Sequence, residues 1–220
     1  MDTLLLRLQA PMQSWGIASQ FSFRDSAREP SKSGILGLIC AALGRSREEP
    51  VNDLASLKMG IRADREGSLL KDYHIAREIF KADGGIKPAE LSNRYYLSDA
   101  VFLVGLEGDS ILLGLVQEAL HHPKWELYLG RKAFPPAMPV WLPDGLQANK
   151  ELLSALSTYP LLISTSEQHL RVAIEDPTGN IIRRDVPVSF ENRQFSTRII
   201  QMITIPTPEK KRLEDDDVSF

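Results

Sequence analysis

Short apolar runs broken by turn residues predict alternating strands and helices along the first half of this chain. TLLLRLQ (3–9) is short, apolar and followed by Ala10-Pro11, which predicts a buried strand. SKSGILGLICAALG (31–44) predicts a buried helix, because a serine cap candidate precedes the apolar run and Gly44 follows it. Between them, residues 11–30 have no steady period and predict a long loop.

The following segments continue the alternation. They predict, in order, a short helix and a strand within 51–66, strands over 68–76 and 94–108, an amphipathic helix over 109–122, and a strand from Trp125 that leads into the turn Gly130-Arg131-Lys132. The order strand, helix, strand, strand, helix, strand is that of a split βαβ unit. The sequence therefore predicts an α+β, ferredoxin-like (RRM-like) fold, a framework on which many RNA-binding modules are built.

An insertion separates the two middle strands. Residues 77–93 contain Gly84-Gly85 and Pro88, which predicts a protruding, mobile segment rather than core. After Pro143 the pattern becomes β-rich and predicts a small C-terminal antiparallel sheet. These changes divide the chain into a ferredoxin-like domain (1–143), a small β-rich subdomain (144–207) and a charged tail (208–220) that we expect to be disordered.

Composition places the chain among ordinary globular proteins. Its 220 residues are 43% hydrophobic and 25% charged, which excludes disordered, collagen-like and coiled-coil classes. Cys40 is the single cysteine, so no intramolecular disulfide can form and a reducing compartment is indicated. No apolar run approaches the roughly 18 residues of a membrane span. We therefore expect a cytoplasmic protein with no membrane partner.

The charges are unevenly distributed, although the net charge is only −3. Residues 24–47 carry five bases against two acids, namely Arg24, Arg28, Lys32, Arg45 and Arg47 against Asp25 and Glu29. A local basic stripe of this kind permits contact with a phosphate backbone even in a nearly neutral protein.

Two basic positions suit phosphate binding. Lys32 and Ser33 lie at the start of the predicted helix 31–44, where free backbone N–H groups and a cation could bind a phosphate. Plain helix capping explains these residues equally well. Arg131 and Lys132 follow a flexible glycine, and two adjacent cations in a turn suit a backbone phosphate, although most such turns are simply solvated.

Aromatic residues next to arginine suit unpaired bases. Arg94 lies beside Tyr95-Tyr96 where the insertion rejoins a strand, and such groups wedge against splayed bases. Trp15 and Phe21 in the loop could do the same, or could pack the loop onto the core, which is the commoner role.

Catalytic signals are weak. Tyr73-His74 is the best catalytic candidate among the histidines, but alternating strand residues with structural roles explain it better. His121-His122 suit the C-terminal end of a helix. Neither metal-ligand spacing nor a phosphate-loop motif occurs, so we expect no metal and no cofactor.

Five blocks in order resemble the CasD family. They are LLLRLQAPMQSWG (4–16), EPSKSGILGLICAALG (29–44), KDYHIAREIF (71–80), SNRYYLSDAVF (92–102) and YLGRKAFPP (128–136). CasD is a subunit of type I-E Cascade, the CRISPR RNA-guided surveillance complex, and belongs to the repeat-associated RNA-binding (RAMP) superfamily. The helix block and the Leu-Gly-Arg-Lys turn carry the most specific likeness.

The resemblance implies a non-catalytic architectural protein of antiviral defence. Family members cap the backbone filament and hold the 5′ handle of the CRISPR RNA, with the target DNA engaged only through the complex. The insertion 77–93 would be the family's thumb, with Ile79, Phe80 and Lys81 contacting the backbone subunit CasC; the large subunit CasA and the other Cascade subunits are further expected partners.

The resemblance also points to RNA-binding residues. Arg94 matches a handle-contacting arginine, Arg131 and Lys132 match the basic pair after the glycine, and Lys32 and Ser33 match the family's basic-Ser-Gly start of the first helix. Trp15 and Arg24 complete the expected RNA-binding set.

Two alternatives stay open. In the related type I-C system the homologous subunit is a metal-independent endoribonuclease that processes repeat RNA with tyrosine, lysine and histidine, which would fall here on Tyr73, Lys71 and His74. Strand alternation sends Lys71 and Tyr73 to one face and His74 to the other, which disfavours a shared site. The other alternative is a protein scaffold without RNA contact.

Overall fold

The computed structural model describes residues 1–16 and 23–208, and it has a mixed α+β fold with mainly antiparallel sheets. In the described part of the chain the strands are β1 Asp2–Gln9, β2 Met12–Gln13, β3 Phe23–Arg24, β4 Lys58–Arg65, β5 Ser68–Phe80, β6 Ile86–Ser98, β7 Val101–Gly108, β8 Trp141–Gln147, β9 His169–Glu175, β10 Ile181–Ser189 and β11 Gln194–Pro206. The helices are α1 Lys32–Leu43, α2 Asn52–Ala55, α3 Ser110–His121 and α4 Leu152–Thr158. Phe21 and the tail from residue 209 onward lie outside the described residues.

Helix α1 confirms the local sequence signals. The Ser31 side chain accepts a hydrogen bond from the Gly34 N–H, and Gly44 ends the helix at φ 73, where a residue without Cβ is favoured. Asp109 caps α3 in the same way by accepting from the Leu112 N–H. Both helices therefore begin where the sequence predicted.

The main sheet has seven strands in the order β10-β11-β9-β4-β7-β1-β8, and β1 pairs with β7 along its whole length. Alternate residues of β1 enter different cores: Leu4 and Leu6 pack with α1 and α3, whereas Leu5 packs with α4. The predicted buried strand 3–9 is confirmed. Successive side chains point to opposite faces of the strand, and both faces are apolar because each packs into a core.

A long β-hairpin projects from this body. The expected mobile insertion 77–93 is instead the outer half of two paired strands, β5 and β6, which meet at a turn where Gly84 has φ 83. The prediction of one strand over 94–108 is wrong. The segment forms the end of β6 and the whole of β7, with a break at Asp99, whose φ is 57. β6 additionally pairs with the short strands β2 and β3, which forms a second sheet.

The expected strand from Trp125 to Leu129 does not form. The backbone N–H groups of Lys124 and Trp125 donate instead to Ala42 and Ala41, the open carbonyls at the end of α1. The second partner of β1, on the side away from β7, is β8, further along the chain.

The C-terminal strands extend the main sheet. β9 pairs with β4 and β11 pairs with β9, so the separate C-terminal sheet expected from the sequence is replaced by one continuous sheet. β8 crosses residue 143, and the division of the chain into domains there stays a prediction. Within residues 1–16 and 23–208, no helix is long and apolar enough to cross a bilayer.

Candidate nucleic-acid interface

Three arginines that are distant in sequence meet on the second sheet. Arg24 on β3 lies opposite Arg94 on β6 in a parallel register. Arg131 donates from Nη2 to the backbone carbonyls of Tyr95 at 2.9 Å and Arg24 at 3.3 Å. We call Arg24, Arg94 and Arg131 the arginine cluster.

The cluster concentrates positive charge in a partly buried place. Burial is the largest effect that lowers the pKa of Arg131, followed by the neighbouring charges of Arg94 and Arg24; Asp25 and Asp72 partly oppose this. Arg131 donates to backbone carbonyls and Arg94 donates from Nε to the Ser92 hydroxyl, while Asp72, opposite Arg94 on β5, offsets part of the positive charge.

Aromatic rings surround the cluster. The ring centroids of Phe23 and Tyr95 lie 5.3 Å apart, and Phe23 is half exposed. Arg131 also lies over the ring of Phe134, 5.7 Å from its centroid. Cations beside a half-exposed ring suit single-stranded RNA, in which phosphates and unpaired bases alternate.

Gly130 determines where Arg131 points. Its φ is 89, and a Cβ atom there would stand 1.6 Å from the Ser14 carbonyl oxygen. The same turn is closed by hydrogen bonds from the Leu129 N–H to Phe134 and from the Phe134 N–H to Arg131. Only glycine allows this close approach, which fixes Arg131 against the second sheet.

Lys132 takes a different direction from Arg131. It is exposed and lines a groove of about 1190 Å³ together with Trp125, Tyr128 and Trp141. The sequence treated Arg131 and Lys132 as one basic pair, whereas the structure places them on two separate surfaces.

The structure disfavours Lys32 as a phosphate-binding residue at the start of α1. This side chain is only 3% exposed, and its Nζ lies 3.0 Å from Glu175 Oε1. Its backbone N–H donates to Asp185 Oδ2 at 2.8 Å, so a carboxylate of the same chain already occupies the helix N-terminus. Burial lowers the pKa of Lys32, and Glu175 opposes that shift. Ser33 is half-buried beside it.

Of the two roles open to Trp15, the structure favours packing of the loop over stacking on bases. Its side chain is 1% exposed, and its Nε1 donates to Gln13 Oε1 at 3.2 Å. The ring fills the space over Gly34, where a Cβ atom would stand 2.9 Å from it. Trp15 therefore packs the loop onto α1.

The hairpin presents its residues on two faces. Lys71 and Tyr73 lie opposite Tyr95 and Asn93, whereas His74 lies on the other face, with Nδ1 3.7 Å from Asp72 Oδ2. The alternation expected from the sequence is confirmed, and it separates the three candidate nuclease residues. At the tip, Ile79 is half-buried, Lys81 is exposed and Phe80 is 81% exposed.

Sequence reasoning missed Phe23 and Phe134 as neighbours of the cluster. No local signal indicates them, because β3 has two residues and its parallel pairing with β6 is a long-range event. In the part of the chain that the structure describes, no group of three or more His, Cys, Asp or Glu residues is arranged to hold a metal ion.

Comparisons with known proteins agree on one family. A family model described as CRISPR-associated protein (Cas_Cas5) matches residues 3–203. CRISPR system Cascade subunit CasD of Escherichia coli (strain K12) is 31% identical, over 92% of this chain and 90% of that protein. A crystal structure of a Cas protein has a TM-score of 0.80 and 42% identity, covering 94% of this chain and 98% of the other. A chain of a CRISPR RNA-guided surveillance complex has a TM-score of 0.79 and 32% identity, covering 94% and 91%.

Proposed function

Because this chain belongs to the Cas5 family of CRISPR-associated proteins, among its CasD members, we propose that it is a non-catalytic subunit of a type I-E Cascade surveillance complex. In that complex it binds the 5′ handle of the CRISPR RNA and caps the backbone filament. The observation that carries the proposal is the arginine cluster, in which Arg24, Arg94 and Arg131 converge beside the half-exposed ring of Phe23.

The topology supports a RAMP-type, ferredoxin-like architecture. Strands β1, β4, β7 and β8, joined through α1 and α3, follow the order of a split βαβ unit and lie in the spatial order β8-β1-β7-β4. The long hairpin β5–β6 replaces a simple connection between the middle strands and corresponds to the family's thumb.

The hairpin tip supports a protein contact. Phe80 and Ile86 lie opposite one another and are both largely exposed, so the tip offers apolar surface far from the core. We assign Ile79, Phe80 and Lys81 to the contact with the backbone subunit CasC, with CasA and the remaining subunits as further partners of the complex. The cytoplasmic location predicted from the sequence goes with this role.

A non-catalytic role fits the hairpin geometry. A general base and a general acid must both reach the same reacting group, whereas Tyr73 and His74 project from opposite faces of one strand. No observation favours the endoribonuclease alternative.

The test is reconstitution with a labelled guide RNA. The chain is co-expressed with the other Cascade subunits as wild type, Arg94→Glu or Lys150→Ala, the last being a basic control away from the cluster. We expect Arg94→Glu to lower recovery of the guide-containing complex and Lys150→Ala to leave it unchanged. In parallel, the purified chain is incubated with repeat RNA in EDTA; specific cleavage on a denaturing gel would overturn the non-catalytic role.

A further inference from the structure

We propose that a trough along α1 binds one unpaired nucleotide of the same RNA that the arginine cluster contacts. The trough has a volume of about 650 Å³, within the usual range for small-molecule sites. It lies between α1, the segment before Gly130 and the C-terminal strands. The inference rests on the proposed function, since the nucleotide would belong to the guide RNA.

The part of α1 that lines the trough carries mainly small side chains, and Leu38 is the one large residue on it. Gly34, Gly37 and Ala41 follow one another at helical spacing on this side. The space over Gly34 is filled by Trp15, but a Cβ atom on Gly37 would meet only Phe190, at 3.8 Å. A glycine inside a helix costs stability, and no close backbone approach requires one at this position. Gly37 therefore keeps space open above the helix.

Aromatic rings form the two walls. Trp125 and Tyr128 stand on one side, and Phe190 and Phe195 stand on the other. Trp125 is 47% exposed, yet its backbone is fixed by the hydrogen bond from its N–H to the Ala41 carbonyl. Flat rings on both sides of an open space are suited to stacking with a base, whatever its identity.

Arginines at the rim supply charge for a phosphate. Arg45 is committed to Asp53, with Nη1 2.7 Å from Oδ1, but Arg47 and Arg193 stand exposed at the edge. None of the described residues that line the trough is acidic. A ligand with an aromatic base and a negative phosphate complements this arrangement in both parts.

The trough and the arginine cluster meet at two consecutive residues of one turn. Gly130 lines the trough, and the next residue, Arg131, belongs to the cluster. A strand of RNA that crosses the cluster can therefore place its neighbouring nucleotide in the trough without leaving the surface. This adjacency favours an RNA nucleotide over an unrelated anion.

Two kinds of variant test the proposal: one fills the trough with a side chain, and the other removes the positive charges at its rim. Gly37→Leu places a large side chain in the space, and Gly37→Ala is the matched control because its Cβ makes only an ordinary contact. Arg47→Ala with Arg193→Asn removes the rim charges; asparagine is chosen because Arg193 has φ 51, which asparagine tolerates. The thermal midpoint of each variant is measured to establish that it is folded.

The readout is a reconstituted Cascade complex with guide RNAs that carry 2-aminopurine at one handle position at a time. We expect one position to be quenched by stacking in the wild type and in Gly37→Ala, and to become fluorescent in Gly37→Leu. The Gly37→Leu variant should bind the guide about fivefold more weakly, or worse, as expected for the loss of one base–aromatic stack. The variant without the rim arginines should also bind more weakly and should show a smaller dependence on salt, because it loses phosphate contacts.

The outcomes separate this inference from the proposed function. If no handle position responds to Gly37→Leu while Arg94→Glu still weakens guide binding, the trough is not a nucleotide site and the proposed function stands. If Gly37→Leu disrupts association with the other subunits in the absence of RNA, a protein segment occupies the trough instead, and the inference is overturned. If neither trough nor cluster variants change guide binding, the proposed function fails as well.

Discussion

Arg24 and Arg94 lie opposite one another on the parallel strands β3 and β6, and Arg131 hydrogen-bonds the backbone of both strands. Three like charges placed this close together repel one another and destabilise the free protein. Asp72 lies opposite Arg94 on β5 and, with Asp25, offsets only part of this charge, so an external anion would stabilise the arrangement further.

Replacing Arg131 by alanine should weaken guide RNA binding and its dependence on salt. Each phosphate contact releases counterions from the RNA when the complex forms. Without one contact, the slope of log K for guide binding against the logarithm of the salt concentration should shrink by about 0.7 to 1. Titration of the labelled guide complex at several salt concentrations measures this slope. Lys150→Ala should leave it unchanged, and an unaltered slope in Arg131→Ala would remove Arg131 from the site.

Gly130→Ala should weaken guide binding about as much as Arg131→Ala does. The new Cβ atom would collide with the Ser14 carbonyl at a backbone conformation that alanine avoids, so the turn must open and release Arg131. Gly114→Ala is the matched control, since no atom lies within 4 Å of a Cβ there and α3 should gain about 0.5–1 kcal/mol. Equal guide affinities in the two variants would contradict the role given to Gly130.

Lys32→Met should destabilise the fold, with little direct effect on RNA contacts. Lys32 pairs with the largely buried Glu175, which Arg198 also contacts at 3.1 Å, so the loss of one of its two cationic partners should cost about 1.5–3 kcal/mol in free energy of unfolding. Chemical denaturation of the isolated chain measures the loss. Lys132→Met, at an exposed position, should change stability by no more than about 0.5 kcal/mol. Comparable stability in the two variants would restore Lys32 as a candidate phosphate ligand.

The Cys40 thiol should react slowly with iodoacetamide in the folded protein. Burial raises its pKa from 9.0 to about 11, so very little reactive thiolate exists at pH 8. Alkylation of the single cysteine, followed by mass spectrometry, should become fast in denaturant.

The same shift has a consequence for stability at high pH. Because the folded pKa of Cys40 is raised, the contribution of the protonated thiol is complete below pH 9 and is lost as the pH rises to about 11. Cys40→Ala should therefore show a smaller loss of stability than the wild type between pH 9 and 11. Identical pH profiles would contradict this assignment.

Phe80→Ser should reduce association with the backbone subunit and leave the thermal midpoint unchanged. Phe80 is 81% exposed at the hairpin tip, so the fold gains little from it, whereas a protein contact would bury the ring. Ile111→Ser is the control, because Ile111 is 75% exposed on α3, away from the hairpin. A pull-down with the backbone subunit compares the two; equal recovery would exclude Phe80 from that contact.

Local signals were sufficient for the elements that carry the core. The apolar run 3–9, the Ser31 cap with Gly44 and the Asp109 cap predicted β1, α1 and the start of α3 where the structure has them. Each of these depends on residues within one or two turns of the chain, so the information is present in the sequence window itself.

Tertiary contacts decided which of the predicted site residues can meet a ligand. Lys32 and Trp15 have the chemistry of RNA-binding residues, but both are buried. Lys32 pairs with Glu175, and Trp15 packs over Gly34. Arg24 and Arg94 come together only because a two-residue strand pairs with β6. The sequence by itself determined the element types and the residues able to bind RNA. Which of these residues remain on the surface, and beside one another, depends on pairings between distant segments, whose free energy no local pattern encodes.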